Sequence, residues 1–278
     1  MATNQGMTSI RQTPTTEGDK QMKANVSTNA NANGPTTDMK ESKMKITPSS
    51  LIRGHGRIFG VLFILTFLTS IPPVALYQPV LNDPVGYITG GGKDNQIYLG
   101  ALLEFFLIVS GVGTAVVLYP IVRRQNEALA IGYVAARIME SVFIAGGIIF
   151  VLGVVGLRHD LPSAHDVAFT LAALKDWTFL FGPGFFPLGN GLLLGYLMYR
   201  SGLVPRRMAW LGLIGGPLLF IASVGVLFDW WKLGGTVQAL ATIPEFIWEL
   251  FLGVYCTIWG FRKDSPIVRP NWRGNATA

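Results

Sequence analysis

Residues 97–122 read IYLGALLEFFLIVSGVGTAVVLYPIV, a stretch of 26 residues with one charge, Glu104. About 20 residues in a helix, at about 1.5 Å rise each, cover the roughly 30 Å hydrocarbon core of a bilayer. A helix also satisfies its own backbone donors and acceptors where lipid offers none. The stretch therefore predicts a membrane-spanning helix. Five more runs of 20 residues or longer share its character, at 58–77, 128–157, 177–199, 208–228 and 242–261. Together they predict an all-α fold, a polytopic transmembrane helical bundle of six spanning helices. The run at 128–157 is longer than a span requires, so it must tilt, protrude or break.

Composition agrees. The chain is 50% hydrophobic and 14% charged, against about 25% charged for a soluble domain. Residues 1–50 contain no Phe, Trp or Tyr and too little apolar surface to offset the entropy of ordering. This predicts three parts: a disordered cytoplasmic tail at 1–50, the six-helix domain at 51–263, and a short cytoplasmic tail at 264–278. The first part lacks the apolar core of a signal peptide, so it is expected to stay attached.

Charge sets the orientation. Arg53, Arg57, Arg123, Arg124, Arg200, Arg206, Arg207, Arg262, Lys263, Arg269 and Arg273 all fall on one side of the six runs. The other side holds only Lys93, Arg158, Lys175 and Lys232, beside Asp83, Asp94, Asp160, Asp166, Asp176 and Asp229. By the positive-inside rule both termini are cytoplasmic, and the expected location is the cell membrane, with the lipid bilayer as partner. The net charge of +6 is thus topological, and no nucleic-acid partner is expected. Of the outer loops, 78–96 and 158–176 are long, and 167–174 within the second is apolar enough for a short interfacial helix.

Five charged residues lie inside the runs: Glu104, Arg137, Glu140, Glu245 and Glu249. Each costs roughly 2.5–3.5 kcal/mol at a helix centre unless it finds a partner or water. Counted along the helices, Glu104 and Glu245 lie roughly 9 Å outward of the midplane, and Glu249 and Asn190 within about 3 Å of it. Arg137 and Glu140 are three residues apart and can pair within one helix. Tyr133, Arg137, Glu140 and Ser141 share one stripe, and Glu245, Trp248, Glu249 and Cys256 another. Both stripes are expected to face inward.

The fourth run opens with Gly182, Pro183, Gly184, Phe185, Phe186, Pro187, Leu188, Gly189, Asn190 and Gly191, a poor helix former because proline removes a donor and clashes with the preceding turn. Either it is a broken helix lining a polar cavity, with Asn190 as a contact, or a kinked helix packed through its glycines.

These residues support a ligand site for a small molecule or ion of positive charge: Glu104, Glu245 and Glu249 as acceptors, Arg137 with Glu140 as internal counterions, and Asn190 as a polar contact. The competing readings are a structural protein whose buried charges only organise packing, and an intramembrane enzyme using Glu249 or Glu140 as acid or base. No run contains histidine, which argues against a Ser–His protease and His-ligated haem. Cys256 is the single cysteine. His159-Asp160 and His165-Asp166 have no spacing that holds a metal. No cofactor, metal or catalytic residue is expected.

Several short matches, in order, resemble a bacterial membrane-protein family, domain of unknown function 4386. They are Arg57-Ile58-Phe59-Gly60-Val61-Leu62-Phe63, Asn82-Asp83-Pro84, Leu103-Glu104, Arg137-Ile138-Met139-Glu140, Asp176-Trp177-Thr178-Phe179-Leu180 with Gly182-Pro183-Gly184, and Leu203-Val204-Pro205-Arg206. The resemblance covers about three-quarters of the chain, from about Arg57 to Phe261. It implies a six-helix bacterial membrane domain and no established activity.

Overall fold

A computed structural model describes residues 48–90, 92–161 and 163–269, with side chains from residue 52 onward. The tail expected at 1–50 lies outside the described residues up to position 47, and so does the end of the chain after position 269. Among the described residues the elements are helical throughout, with no strand.

The chain runs through α1 (Pro48–Leu76), α2 (Gln78–Asn82), α3 (Pro84–Thr89), α4 (Asp94–Val122), α5 (Glu127–Asp160) and α6 (His165–Phe179). Two π-helical segments follow, Leu180–Gly184 and Leu188–Leu193, and then α7 (Leu194–Ser201), α8 (Arg206–Leu227) and α9 (Thr236–Trp259). Five of these helices are long and apolar enough to cross a membrane: α1, α4, α5, α8 and α9. Between 33% and 39% of the most apolar window of each is buried within the protein. The outward faces carry large apolar side chains such as Leu68, Val116, Ile149 and Ile221, the surface expected where the solvent is lipid.

The run at 177–199 is not one continuous α-helix. Pro183 and Pro187 lack the N–H that the ladder needs, and the backbone widens into π turns on either side of Phe185 and Phe186. The interruption is stabilised from outside. Ser223 on α8 donates to the Gly184 carbonyl at 3.0 Å, and the Trp248 indole on α9 donates to the Asn190 carbonyl at 3.1 Å. Gln238 in turn donates to Ser223 Oγ at 3.3 Å.

α5 does not break: it is a continuous helix over 34 residues, about 51 Å at 1.5 Å per residue. Asn126 caps its start by accepting from the Leu129 N–H. At its far end Arg158 binds Asp94 and the Gly90 carbonyl, and His159 lies 3.0 Å from Asp94 Oδ2. The 78–96 connection, expected as a loop, is mostly helical, and Asp83 caps α3 through the Gly86 N–H at 2.9 Å. The 167–174 stretch is part of the longer α6, which runs directly into the first π segment.

Neighbour relations close the bundle into a ring. α1 packs between α4 and α9, α4 packs on α5, α5 packs on α6 and both π segments, α8 packs on the second π segment and α7, and α9 returns to α8. The interior is layered. One apolar cluster, including Phe59, Phe63, Leu118, Tyr133, Trp248 and Cys256, fills the half nearer Arg123. The other, including Tyr77, Ile97, Val151 and Ala168, fills the half nearer Asp94. On α4, α5, α6 and the interrupted column, buried polar residues fall between these clusters in sequence: Glu104, Ser110, Thr114, Arg137, Ser141, Lys175 and Asn190.

Candidate functional site

Two charged clusters occupy this polar layer. In the first, Lys175 near the end of α6 places Nζ 2.7 and 3.0 Å from the two carboxylate oxygens of Glu104 on α4. The Tyr77 hydroxyl donates to Glu104 Oε2 at 3.0 Å, and the Tyr77 ring lies 4.9 Å from the ammonium, within cation–π range. Lys175 is 5% exposed and Glu104 8%. Glycines make room: a Cβ at Gly147 would stand 2.9 Å from Lys175 Nζ, and one at Gly100 would stand 2.6 Å from the Tyr77 ring. The cluster is matched in charge and in hydrogen bonds.

The second cluster is built by α5, the interrupted column and α9. Arg137 Nη1 donates to Glu140 Oε2 at 2.8 Å, the pairing their spacing predicts. Its Nε donates to the Gly111 carbonyl on α4 at 3.2 Å, and the guanidinium lies 5.8 Å from the Phe63 ring centroid. Asn190 Nδ2 also donates to Glu140 Oε2, at 3.3 Å. Glu249 interacts electrostatically with Arg137 and Glu140 and with the Asn190 side chain. Glu245, one turn away, is 4% exposed, and neither of its carboxylate oxygens has a hydrogen-bond partner among the described residues. Asn190 Oδ1 is buried and unpartnered as well.

The balance differs between the clusters. Lys175 matches Glu104 one for one. Around Arg137 there are three carboxyl groups, Glu140, Glu245 and Glu249, for one guanidinium. Burying an ionised group is costly unless it is paired, so the second cluster calls for more positive charge than its own side chains supply.

At the Asp94 end of the bundle, Tyr87 donates to Asp94 Oδ1 at 2.6 Å, and Asp94 also receives Arg158 and His159. Burial, together with that hydrogen bond, pushes the Tyr87 hydroxyl above the ordinary tyrosine range. This knot ties α3 and the start of α4 to the end of α5.

The profile of the domain of unknown function DUF4386 matches residues 58–260, which covers most of the chain and both clusters. The chain belongs to this family. No curated protein and no solved structure matches it. Within this DUF4386 domain the fold supplies what the family description leaves open, a location for the buried charge.

Of the six residues singled out from sequence, Arg137, Glu140, Asn190, Glu245 and Glu249 come together. Glu104 does not join them. It sits seven residues before Gly111, the α4 residue that touches Arg137, a separation of about 10 Å along the helix, and it is held by Lys175 and Tyr77. Lys175 itself was expected in an outer loop. The readable signal was its spacing with Ala168 and Ala172, at i, i+4 and i+7, which places all three on the buried stripe of α6. Tyr77 carried no signal of its own.

Proposed function

We propose that this DUF4386 chain is a multi-pass protein of a bacterial cell membrane. It has six spans, the sixth being the interrupted column, and its amino-terminal tail and carboxyl terminus lie in the cytoplasm. Its central cluster binds a small cationic solute in transit across the bilayer. Glu245 and Glu249 are the acceptors, Arg137 and Glu140 form an internal counterion pair, and Asn190 is a neutral polar contact.

The observation that carries this reading is Glu245: a buried carboxyl group with no donor to either oxygen among the described residues, in a cluster where carboxyl groups outnumber cations. The interrupted column supports it, because broken helices at membrane depth occur where they line a site or are enclosed by protein.

Thermal unfolding of the purified full chain in detergent, against a panel of inorganic cations and amine-bearing metabolites, tests the proposal. A solute that binds the folded state raises the midpoint. At least one should do so in the parent and lose its effect in Glu245→Gln and Glu249→Gln. A second reading, that the charges only hold the helices in register, draws support from the fully matched Glu104–Lys175–Tyr77 cluster. A flat panel with both glutamine variants as stable as the parent selects it over solute binding.

A further inference from the structure

The short segment after α9 folds back onto the turn between α7 and α8. Phe261 and Ile267 are each 1% exposed, the Arg262 N–H donates to the Leu203 carbonyl at 2.9 Å, and the Ser265 hydroxyl donates to the Ser201 carbonyl at 2.6 Å. This hook brings Arg262 beside Arg206, the first residue of α8, and the two line one cleft of about 250 Å³ with Gly202, Asp264, Ser265 and Pro266. The positive-inside rule asks only for charge on one side of a membrane. Here the charge is also held in place. Arg262 donates to both carboxylate oxygens of Asp264, at 3.2 and 2.6 Å, and the Arg206 guanidinium lies 5.8 Å from the Tyr199 ring centroid, within cation–π range.

The cleft is electropositive. Residues 200–210 and 260–269 carry Arg200, Arg206, Arg207, Arg262, Lys263 and Arg269, all exposed, against a single acidic residue, Asp264. The lining itself, two arginines and one carboxylate, has one net positive charge. A guanidinium presents five N–H donors in a fork that fits phosphate oxygens, and Asp264 takes two of those on Arg262.

An apolar surface continues from the cleft. On α8, Trp210, Ile214, Leu218 and Ile221 follow Arg206 at steps of four, four, four and three residues, which makes one broad helical stripe, and they are between 41% and 61% exposed. Trp210 meets Tyr199 edge-on, with ring centroids 5.6 Å apart, and such amphipathic rings sit where headgroups meet acyl chains. From Trp210 to Ile221 the stripe runs about 17 Å at 1.5 Å per residue. The cleft equals about eight water volumes at roughly 30 Å³ each, enough for a phosphate and a small ester group but not for acyl chains. A soluble phosphate would use the cleft and leave the stripe bare.

We infer that the cleft and the stripe hold one anionic phospholipid of the cytoplasmic leaflet, its phosphodiester between Arg206 and Arg262 and an acyl chain along Trp210, Ile214 and Ile221. A monoanionic headgroup matches the single net charge of the lining, and basic pockets beside the cytoplasmic leaflet select anionic lipids. The site needs the proposed placement in the bilayer but no solute in the central cluster.

The delipidated full chain in detergent, unfolded thermally with added phosphatidylglycerol, phosphatidylethanolamine, phosphatidylcholine or inorganic phosphate, tests the assignment. Phosphatidylglycerol should raise the midpoint by about 3 °C or more over phosphatidylcholine. Arg206→Gln and Arg262→Gln should each raise the lipid concentration for half-effect at least about fivefold. Arg124→Gln, at an exposed arginine outside the cleft, should leave it unchanged. Should a cleft variant fail to fold, phosphatidylglycerol brominated in its acyl chains should quench Trp210 fluorescence, taken as the difference between the parent and Trp210→Phe, more than brominated phosphatidylcholine does. Equal action of phosphatidylglycerol and phosphatidylcholine, or a loss in Arg124→Gln as large as in Arg206→Gln, overturns the inference in favour of diffuse surface charge. An equal response to phosphatidylethanolamine that is lost in Asp264→Asn assigns the cleft to a zwitterionic headgroup, and an equal response to inorganic phosphate assigns it to a soluble anion, and either result overturns the inference too. Stabilisation by the cation panel is independent of these outcomes, so failure of the lipid site leaves the solute-binding reading standing.

Discussion

Lys175 and Glu104, 71 residues apart in sequence, form a buried ion pair with Nζ 2.7 Å from Oε1. It joins α6 to α4 through the interior of the ring, and Tyr77 adds the hydroxyl that completes the coordination of Glu104. Removing one member leaves an uncompensated buried charge, which costs about 3–5 kcal/mol, whereas removing both can be close to neutral. Glu104→Gln and Lys175→Met should each destabilise the protein by that order, and the double variant by much less than their sum. Denaturation in a fixed detergent, analysed as a double-mutant cycle, measures the coupling, and additive losses would show that the pair is not one unit.

The close approach of α8, α9 and the interrupted column at Gly191 leads to a second expectation. Gly191→Ala introduces a carbon 2.5 Å from the Gly216 Cα, and neither backbone is free to move aside, so the cost should be about 1–3 kcal/mol. A methyl group added at Gly156 on α5 would meet nothing within 4 Å. Gly156→Ala should be neutral or stabilise by up to about 1 kcal/mol through helix propensity. Unfolding midpoints of the two variants give the comparison, and an equal response would contradict the close packing.

Ser223 distinguishes a bond that supports the broken column from one that merely repeats the helix ladder. Ser223→Ala removes the donor to the Gly184 carbonyl and the acceptor for Gln238, and leaving buried polar groups unpaired costs about 1–3 kcal/mol. Ser110 donates only to carbonyls of its own helix, Phe106 and Leu107, so Ser110→Ala should stay within about 0.5 kcal/mol of the parent. Chemical denaturation of both variants tests the difference, and a silent Ser223→Ala would mean the interruption needs no outside support.

Hydropathy exposed five helices long and apolar enough to cross a membrane, because such a helix leaves a long, simple signature, and the weak helix at 182–191 was readable from Pro183, Pro187 and their glycines. Arg137 and Glu140 were readable because their partnership is local. What hydropathy does not carry is the order of helices around the ring, and that order decides which depth-matched residues meet. Glu104 and Glu245 come out at similar depths, yet one faces Lys175 and the other faces Gly191 and Gly215. Lys175 was misplaced for a related reason: counting charge between apolar runs assigns it to a loop, while its helical spacing with Ala168 and Ala172 assigns it to the interior.

The proposed topology is tested with single cysteines in a Cys256→Ala background, since Cys256 is fully buried. Lys93→Cys and Asp229→Cys should react with an impermeant thiol reagent from outside intact cells, and Arg123→Cys and Lys263→Cys only after the membrane is opened. All four positions are exposed, so access alone does not separate them. Reaction of positions 93 and 123 from the same side would rule out the arrangement.

The central claim is an asymmetry: one buried glutamate is matched by a lysine, while two others lack a cation of their own. A hydrophobic carbodiimide enters from lipid and attacks carboxyl groups that no ammonium or guanidinium holds ionised, so mass spectrometry of the labelled protein reads the asymmetry directly. The adduct should appear on Glu245 or Glu249 and spare Glu104. Labelling of Glu104 ahead of both would contradict the account.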